Sequence, residues 1–294
     1  MVRPDPDAAR AQSATRPALH ALTHGELSER DADELRVLKQ LIRKHVGIEC
    51  DGYKEKCLRR RLAVRMRARG LESYAQYSAL LDTDSDERSR LADVVTINVS
   101  KFFRNPDAWS LLRAHVVPHL FGLDAGTVDI WSAGCAAGEE AYSLAILLLE
   151  YAERMDRDVS RFRILATDVD ERALDAARLG EYPEFAFAET PDDTRARWFT
   201  GPDARMIRPE VQRLVRFETR DLLRDRYPAR RHLILCRNVV IYFDRPAQET
   251  VFSGFHDALA EGGHLLLGKV ETLFGPAATS FQSVSTRERL FRRA

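Results

Sequence analysis

Residues 127–143, TVDIWSAGCAAGEEAYS, decide the fold. Thr127–Ala133 is a short apolar stretch of the kind that forms a buried strand. A loop of glycines and alanines follows. From Glu139 to about Arg154 the apolar residues return at helical spacing. Strand, small-residue loop and helix in that order open a parallel α/β unit. The same order recurs downstream. Phe162–Thr167 reads as a second strand ending at Asp168, and Asp170 is placed to cap a helix over Glu171–Leu179 that Gly180 closes. His232–Cys236 (HLILC) is another buried-type strand, Pro246–Ala260 a helix terminated by Gly262-Gly263, and His264–Gly268 a strand. Phe281–Arg292 reads as a final antiparallel hairpin. The alternation predicts a doubly wound, mostly parallel sheet. It breaks between Tyr182 and Val215, where Pro183, Pro191, Pro202 and Pro209 mark an excursion inserted in the sheet.

Upstream the pattern is helical. Leu35, Leu38, Leu41, Ile42 and His45 recur at three- and four-residue spacing within Glu34–Val46, which ends at Gly47. Further helices are predicted over about Lys54–Arg69, Ser73–Leu81 and Ser85–Val95. The expected organisation is a disordered tail over 1–25, a helical domain over 26–115 and an α/β domain over 116–294 carrying the excursion at about 182–215.

The 294 residues carry 45 basic and 45 acidic side chains, so no global field draws the chain to nucleic acid or membrane. No apolar run approaches the roughly 18 residues of a membrane span. The opening MVRPDPDAARAQSATRP lacks the apolar core of a signal peptide. Cys50, Cys57, Cys135 and Cys236 form no CxxC pair and no zinc-type spacing with histidine, so reduced thiols in a cytoplasmic protein and no metal are expected.

In a doubly wound sheet, ligands bind beyond the carboxyl ends of the strands at the switch point. Three features fall there. Loop Ala133–Glu140 has glycines spaced GxxxG, not GxGxxG. Its small residues either admit a ligand close to the backbone or serve a strand–helix packing turn. Glu139 and Glu140, in the first turn of the helix, would repel a pyrophosphate. They would attract a ligand with an ammonium and a sulfonium, such as S-adenosylmethionine. Asp168, at its strand end, can accept ribose hydroxyls or cap a helix, although Asp170 is better placed for the cap. Arg237-Asn238, ending a buried-type strand, suggests ligand contact, with a surface turn as the alternative.

With these residues in place, the chain closely resembles the chemotaxis receptor methyltransferases of the CheR family. The likeness covers roughly 35–294. It is carried by TINVSKFFR (Thr96–Arg104), IWSAGCAAGEEAYS (Ile130–Ser143), ATDVD (Ala166–Asp170), DLL (Asp221–Leu223), CRNVVIYFD (Cys236–Asp244) and the following QETVFSGFHDALAEGGHLLLG. The resemblance implies a small all-α domain before a Rossmann-like S-adenosylmethionine-dependent domain that carries a small antiparallel β subdomain. It implies transfer of methyl groups to glutamate side chains of chemoreceptors, with S-adenosylhomocysteine as product. By the same resemblance Asn98, Ser100 and Arg104 reach over the cofactor. Gly134 and Glu140 contact its methionine part, Asp168 holds the ribose, and Asp221, Leu222, Arg237 and Asn238 complete the contacts. Arg104 and Tyr242 are the positions nearest the transferred methyl. Some positions depart from the family pattern: Ser100 replaces a usual Thr, Asp221 a usual Asn, and GKVET at 268–272 the frequent GHSE.

Lys56–Leu71 holds Lys56, Arg59, Arg60, Arg61, Arg65, Arg67 and Arg69 with no acidic residue. A solvated face is the plain reading. Because most solvated helices mix signs, and because the family is similar in meeting glutamate-rich receptor bundles with a basic helix, these arginines are expected to bind the receptor. The chain would then reach the membrane only through its receptor. Trp198–Val211 looks short for a subdomain that grips a receptor tether, so a tether-independent enzyme is expected. The arginine-rich helix would also suit a nucleic-acid methyltransferase. Amino-group methyltransferases of that kind usually carry Asn/Asp-Pro-Pro-Tyr/Phe where this chain has Arg237-Asn238-Val239-Val240, so no nucleic acid is expected. A non-catalytic signalling module is disfavoured by the presence of Arg104, Asp168, Asn238 and Tyr242.

Overall fold

The computed structural model describes residues 22–23, 25–96 and 98–294. The expectation for residues 1–25 therefore lies almost wholly outside the described residues. The chain divides into two compact units between Ile97 and Asn98, some way before the expected domain boundary after residue 115.

The first unit is helical: α1 Glu29–Val46, α2 Glu55–Ala68, α3 Tyr74–Thr83 and α4 Ser85–Val95. Helix α1 starts five residues earlier than periodicity suggests. Ser28 caps it by accepting the Asp31 N–H, and the opening turn is acidic, which favours a helix N-terminus. Ser73 and Gln76 form a reciprocal capping box on α3. Leu35, Leu38, Ile42, Leu58, Leu62, Met66, Tyr74, Tyr77 and Leu91 fill the core.

The second unit holds a seven-stranded sheet in the order β5-β2-β1-β6-β7-β9-β8. The strands are β1 Val128–Ala133, β2 Phe162–Asp168, β5 Val215–Thr219, β6 Arg231–Cys236, β7 Leu259–Leu267, β8 Phe281–Ser285 and β9 Leu290–Arg293. β1 pairs in parallel with β2 on one side and β6 on the other, while β9 runs antiparallel to β7. The order reverses between β1 and β6, and their carboxyl ends open the switch-point crevice. Three further helices pack on this sheet: α5 Glu139–Met155, α6 Glu171–Leu179 and α7 Arg245–Ala258.

Three particulars differ from the sequence reading. Helix α7 ends at Ala258, not at the glycine pair. Leu259 is already extended, and Gly262-Gly263 lie in a bulge of β7, where Arg231 pairs with Leu259 but Leu233 with His264. Strand β5 was not foreseen. It is an edge strand reading VRFET, with too many charges to look buried. The segment 98–122 belongs to the second unit because its apolar residues do. Phe102, Phe103, Trp109, Leu112, Val116, Val117 and Leu120 lie in the α/β core.

The excursion contains a ribbon of two-residue strands, β3 Phe199–Thr200 and β4 Met206–Ile207, beside short helical turns. Its aromatic residues enclose Phe102, which stacks on Phe187 at 5.3 Å between ring centres and meets Tyr182 and Phe199 edge-on at 4.7 and 4.9 Å. That cluster anchors the segment carrying Ser100 and Arg104.

Candidate active site

The strand ends define the site. Gly134, at the exit of β1, has φ 76°, and a Cβ there would lie 2.4 Å from Cγ2 of Val239, just past the exit of β6. Only glycine permits so close an approach in the left-handed region. Gly134 and Cys135 donate their N–H groups to the Thr167 carbonyl at 2.7 and 3.0 Å, stitching the loop to β2. Asp168 completes the stitch: Oδ2 accepts the Ala136 N–H at 2.9 Å and Oδ1 the Asp170 N–H at 3.0 Å. Burial pushes its carboxyl above the usual range against the pull of these N–H donors. A carboxylate has about four acceptor positions, so the Asp168 oxygens can still accept a ligand hydroxyl. Asp170 caps α6, accepting the Arg172 and Ala173 N–H groups, and also accepts Nδ2 of Asn98 at 2.6 Å. Asn98 therefore ties its segment to the end of β2.

Behind the loop lie Glu139 and Glu140, both buried. Oε1 of Glu140 accepts the Ser132 hydroxyl at 2.8 Å, and its Oε2 is 3.6 Å from Nη1 of Arg237. Burial raises the Glu140 carboxyl, with Arg237 and Ser132 opposing. Burial also lifts Glu139 to about 7, opposed by its own backbone N–H and a hydrogen bond with the half-buried Ser100. Among the described residues, Oε2 of Glu139 has no hydrogen-bond partner.

Arg237 is buried. Its Nη2 donates to the Arg104 carbonyl at 2.6 Å and to Oδ1 of Asn105 at 3.1 Å, and its guanidinium lies 5.6 Å from the Trp109 ring centre. Arg237 thus fixes the backbone of Arg104. The Arg104 side chain is half-buried, with Nη1 donating to the Val99 carbonyl at 3.2 Å, and its charge acts on Glu140 and Arg237. Phe103, Asn105 and Asn238 all take left-handed backbone with φ between 52° and 62°. Such strain in non-glycine residues is typical of functional sites. Among the described residues, nothing hydrogen-bonds the buried Oδ1 of Asn238. Past β5, Oδ1 of Asp221 accepts the Leu223 N–H at 2.8 Å and Leu222 is buried, while the Arg220 N–H reaches the Asp168 carbonyl at 2.9 Å. Tyr242 is half-buried at the end of a 3-10 turn over Val240–Tyr242.

The structure thus gathers Asn98, Ser100, Arg104, Gly134, Glu140, Asp168, Arg237 and Asn238 into one cluster at the sheet's carboxyl edge, held in separate bonded groups: Asn98 through Asp170 to Asp168, Ser100 with Glu139, and Arg104 with Arg237 beside Glu140. Asp221 and Leu222 join it through Arg220, and Tyr242 through the turn that follows Asn238. The site's chemistry suits a cationic donor. Two buried carboxylates have incomplete partners, and an unpartnered amide oxygen is a ready acceptor. Sequence reasoning missed Glu271, whose buried carboxylate accepts backbone N–H groups of Asn238 and Val239. The signal was there, because GKVET keeps a glutamate in the fourth position of GHSE. Among the described residues no group of His, Cys, Asp and Glu is arranged to hold a metal.

The five arginines of α2 and Arg69 at its C-cap do not act as one surface. Arg59 is buried and donates to the Leu22 and Gly25 carbonyls and to Glu55. Arg61 is buried and donates to the Val95 carbonyl. Arg65 grips Glu87 through two hydrogen bonds of 2.9 and 2.7 Å, and Arg69 reaches Asp84 at 2.9 Å. The expectation that all six meet a receptor is corrected for Arg59, Arg61 and Arg65. Packed against α4 and the residues around Leu22, α2 turns several of its basic positions inward, where backbone carbonyls and carboxylates recruit them. Arg60, Arg67 and Arg69 are exposed, as is Lys56.

Residues 98–290 match the family described as CheR methyltransferase, SAM binding domain, and residues 33–96 match CheR methyltransferase, all-alpha domain. A chemotaxis protein methyltransferase of Listeria innocua is 33% identical over 241 residues, 81% of this chain and 89% of that one. A probable chemotaxis protein methyltransferase of Rhizobium etli is 32% identical over 83% of this chain and 94% of that one. A chemotaxis protein methyltransferase of Salmonella typhimurium is 31% identical over 80% and 82%. Among solved structures, the glycopeptide N-methyltransferase MtfA with S-adenosylhomocysteine is similar at a TM-score of 0.33 and 13% identity, over 60% of this chain and 58% of that one. So slight a structural likeness adds nothing to the family match.

Proposed function

Because the chain belongs to the CheR methyltransferase family, we propose that it methylates glutamate side chains of a chemoreceptor, forming glutamyl methyl esters. The chain is an S-adenosylmethionine-dependent methyltransferase of chemotaxis. A carboxylate acceptor is supported above all by the half-buried Arg104, held by Arg237 beside the buried Glu139–Glu140 pair.

When bound, the cofactor supplies a methyl group on a sulfonium, already a good leaving group. Glu139 and Glu140 provide the negative potential that holds its cationic part, Asp168 accepts the ribose hydroxyls, and Asn238 offers its amide. A glutamate acceptor is ionised at neutral pH, with a reference pKa near 4.3, and needs no general base. The chain's remaining tasks are to position that carboxylate and strip part of its water, for which effective molarity supplies roughly 7–11 kcal/mol. Arg104 orients the carboxylate through a guanidinium hydrogen bond, and Tyr242 donates a second. The exposed Lys56, Arg60, Arg67 and Arg69 steer an acidic receptor helix. No helix among the described residues is long and apolar enough to cross a membrane, and we place the enzyme in the cytoplasm, meeting the membrane through its receptor.

The test is transfer of labelled methyl onto membranes containing the cognate receptors. The expected label is released as methanol by base. Label that resists base, or that appears only in added DNA or RNA, ends the proposal. With Arg104→Ala the ester is lost while the chain stays folded.

A further inference from the structure

Glu271 sits where the two central strand ends meet. Cys236 and Leu267 pair in register as the last residues of β6 and β7. Four residues past Leu267, the chain turns back through a bond from the Glu271 N–H to the Gly268 carbonyl at 2.9 Å. The carboxylate then spans both strand exits. Oε2 accepts the Asn238 N–H at 3.0 Å and the Gly268 N–H at 2.5 Å, and Oε1 accepts the Val239 N–H at 2.9 Å. The side chain is buried, so these bonds do not compete with water. Gly268 admits it closely, since a Cβ there would lie 2.6 Å from Oε2 and 2.7 Å from the Asn238 nitrogen.

The Asn238 and Val239 donors lie in the site itself. Asn238 holds φ 62°, an unfavourable conformation unless surrounding bonds impose it. Val239 is the residue that Gly134 must admit on the opposite side of the crevice. Without an acceptor, two buried N–H groups would lose their partners, and the β6 exit would relax toward ordinary backbone.

We infer that Glu271 is a positioning residue of the cofactor site, its carboxylate clamping Asn238 and Val239 at the β6 exit against Gly134. The inference rests on donor binding at this edge and not on which acceptor receives the methyl. A glutamine keeps the shape of Glu271 but offers one acceptor oxygen, and its NH2 group faces a backbone N–H. A carboxylate is therefore required.

The experiment is calorimetric titration of S-adenosylhomocysteine into the full chain, alongside E271Q, E271D and G268A, with thermal melts confirming folding. Binding at least tenfold weaker in E271Q and G268A, partial recovery in E271D and an unchanged KM for receptor membranes are expected. Folded E271Q that binds within twofold of the unaltered chain overturns the inference. If the unaltered chain itself ignores S-adenosylhomocysteine, donor binding at this edge fails instead. Should the variants not fold, amide exchange in the unaltered chain decides. The Asn238, Val239 and Gly268 amides are expected to gain protection on ligand addition, and no change there while the Gly134–Gly138 amides gain it overturns the clamp.

Discussion

Glu87 and Glu140 are buried glutamates that face arginines, and their differences separate support from function. Glu87, fully buried in the helical unit, takes both oxygens' worth of bonds: Arg65 twice, the Tyr77 hydroxyl at 2.8 Å, and Arg69 at 3.8 Å. Burial pushes its carboxyl up, yet the bonds from Arg65 and Tyr77 outweigh burial and leave it below its ordinary value. Glu140, in the α/β unit, has one hydroxyl bond and an arginine 3.6 Å away, and burial wins. Glu139 beside it has an oxygen with no hydrogen-bond partner among the described residues. The lesson is one of saturation. A buried charge whose lone pairs are all taken holds a fold together. One that is held in place but incompletely paired is ready for something else.

The contrast is sharpest if Glu87 is broken. Glu87→Gln leaves Arg65 facing a neutral amide, and chemical denaturation should show a loss of about 3–5 kcal/mol, with S-adenosylhomocysteine affinity of the folded protein unchanged. A loss under about 1 kcal/mol would mean the network is not structural. His264 offers a third condition, a buried group that stays neutral. Its Nδ1 has no partner among the described residues, and its ring meets His119 edge-on at 5.2 Å. Burial, with the charges of His119 and Arg292, pulls its pKa down to about 4. The unfolded chain takes up this proton below about pH 6.5 while the folded chain resists until about pH 4. Stability therefore falls with pH across that window, at up to about 1.4 kcal/mol per pH unit. His264→Leu should flatten the slope measured between pH 6.5 and 4.5, and an unaltered slope would remove His264 from the account.

Glu140→Gln should act oppositely to Glu87→Gln. It should cost less stability than Glu87→Gln, because one hydroxyl bond and an arginine at 3.6 Å hold Glu140 less firmly than the partners of Glu87, while calorimetry shows S-adenosylhomocysteine binding weakened about 10- to 100-fold. Equal loss of stability and binding would erase the distinction. The smallest structural effect belongs to the exposed face of α2. Arg60→Glu with Arg67→Glu should shift stability by no more than about 0.5 kcal/mol. The receptor KM should rise in a salt-dependent manner, and cofactor affinity should not change. A normal KM at low salt would take the receptor away from this face.

Much of the α/β unit was legible in advance because its signals are local. β1, β2, α6 and the caps at Asp170 and Gly180 lie within a residue or so of where apolar runs and stop signals put them. Motif residues were legible through their neighbours, since Arg237-Asn238 ends an apolar strand and Glu139-Glu140 follows a glycine loop. What escaped was long-range. β5 carries alternating charges and becomes a strand only because the β2 edge pairs with it. Phe102 belongs to the α/β core because aromatic residues some 80 positions later enclose it.

Sequence alone therefore determined most of the strand–helix alternation, the switch-point loop and the residue types that a cationic donor requires. Periodicity and capping act between residues only a few apart. Tertiary structure decided which arginines of α2 face solvent and which are consumed inside, and how a glutamate 33 residues from Asn238 clamps it. Those outcomes follow from desolvation and hydrogen-bond saturation. Both depend on which distant groups share a buried volume, and no local pattern records that.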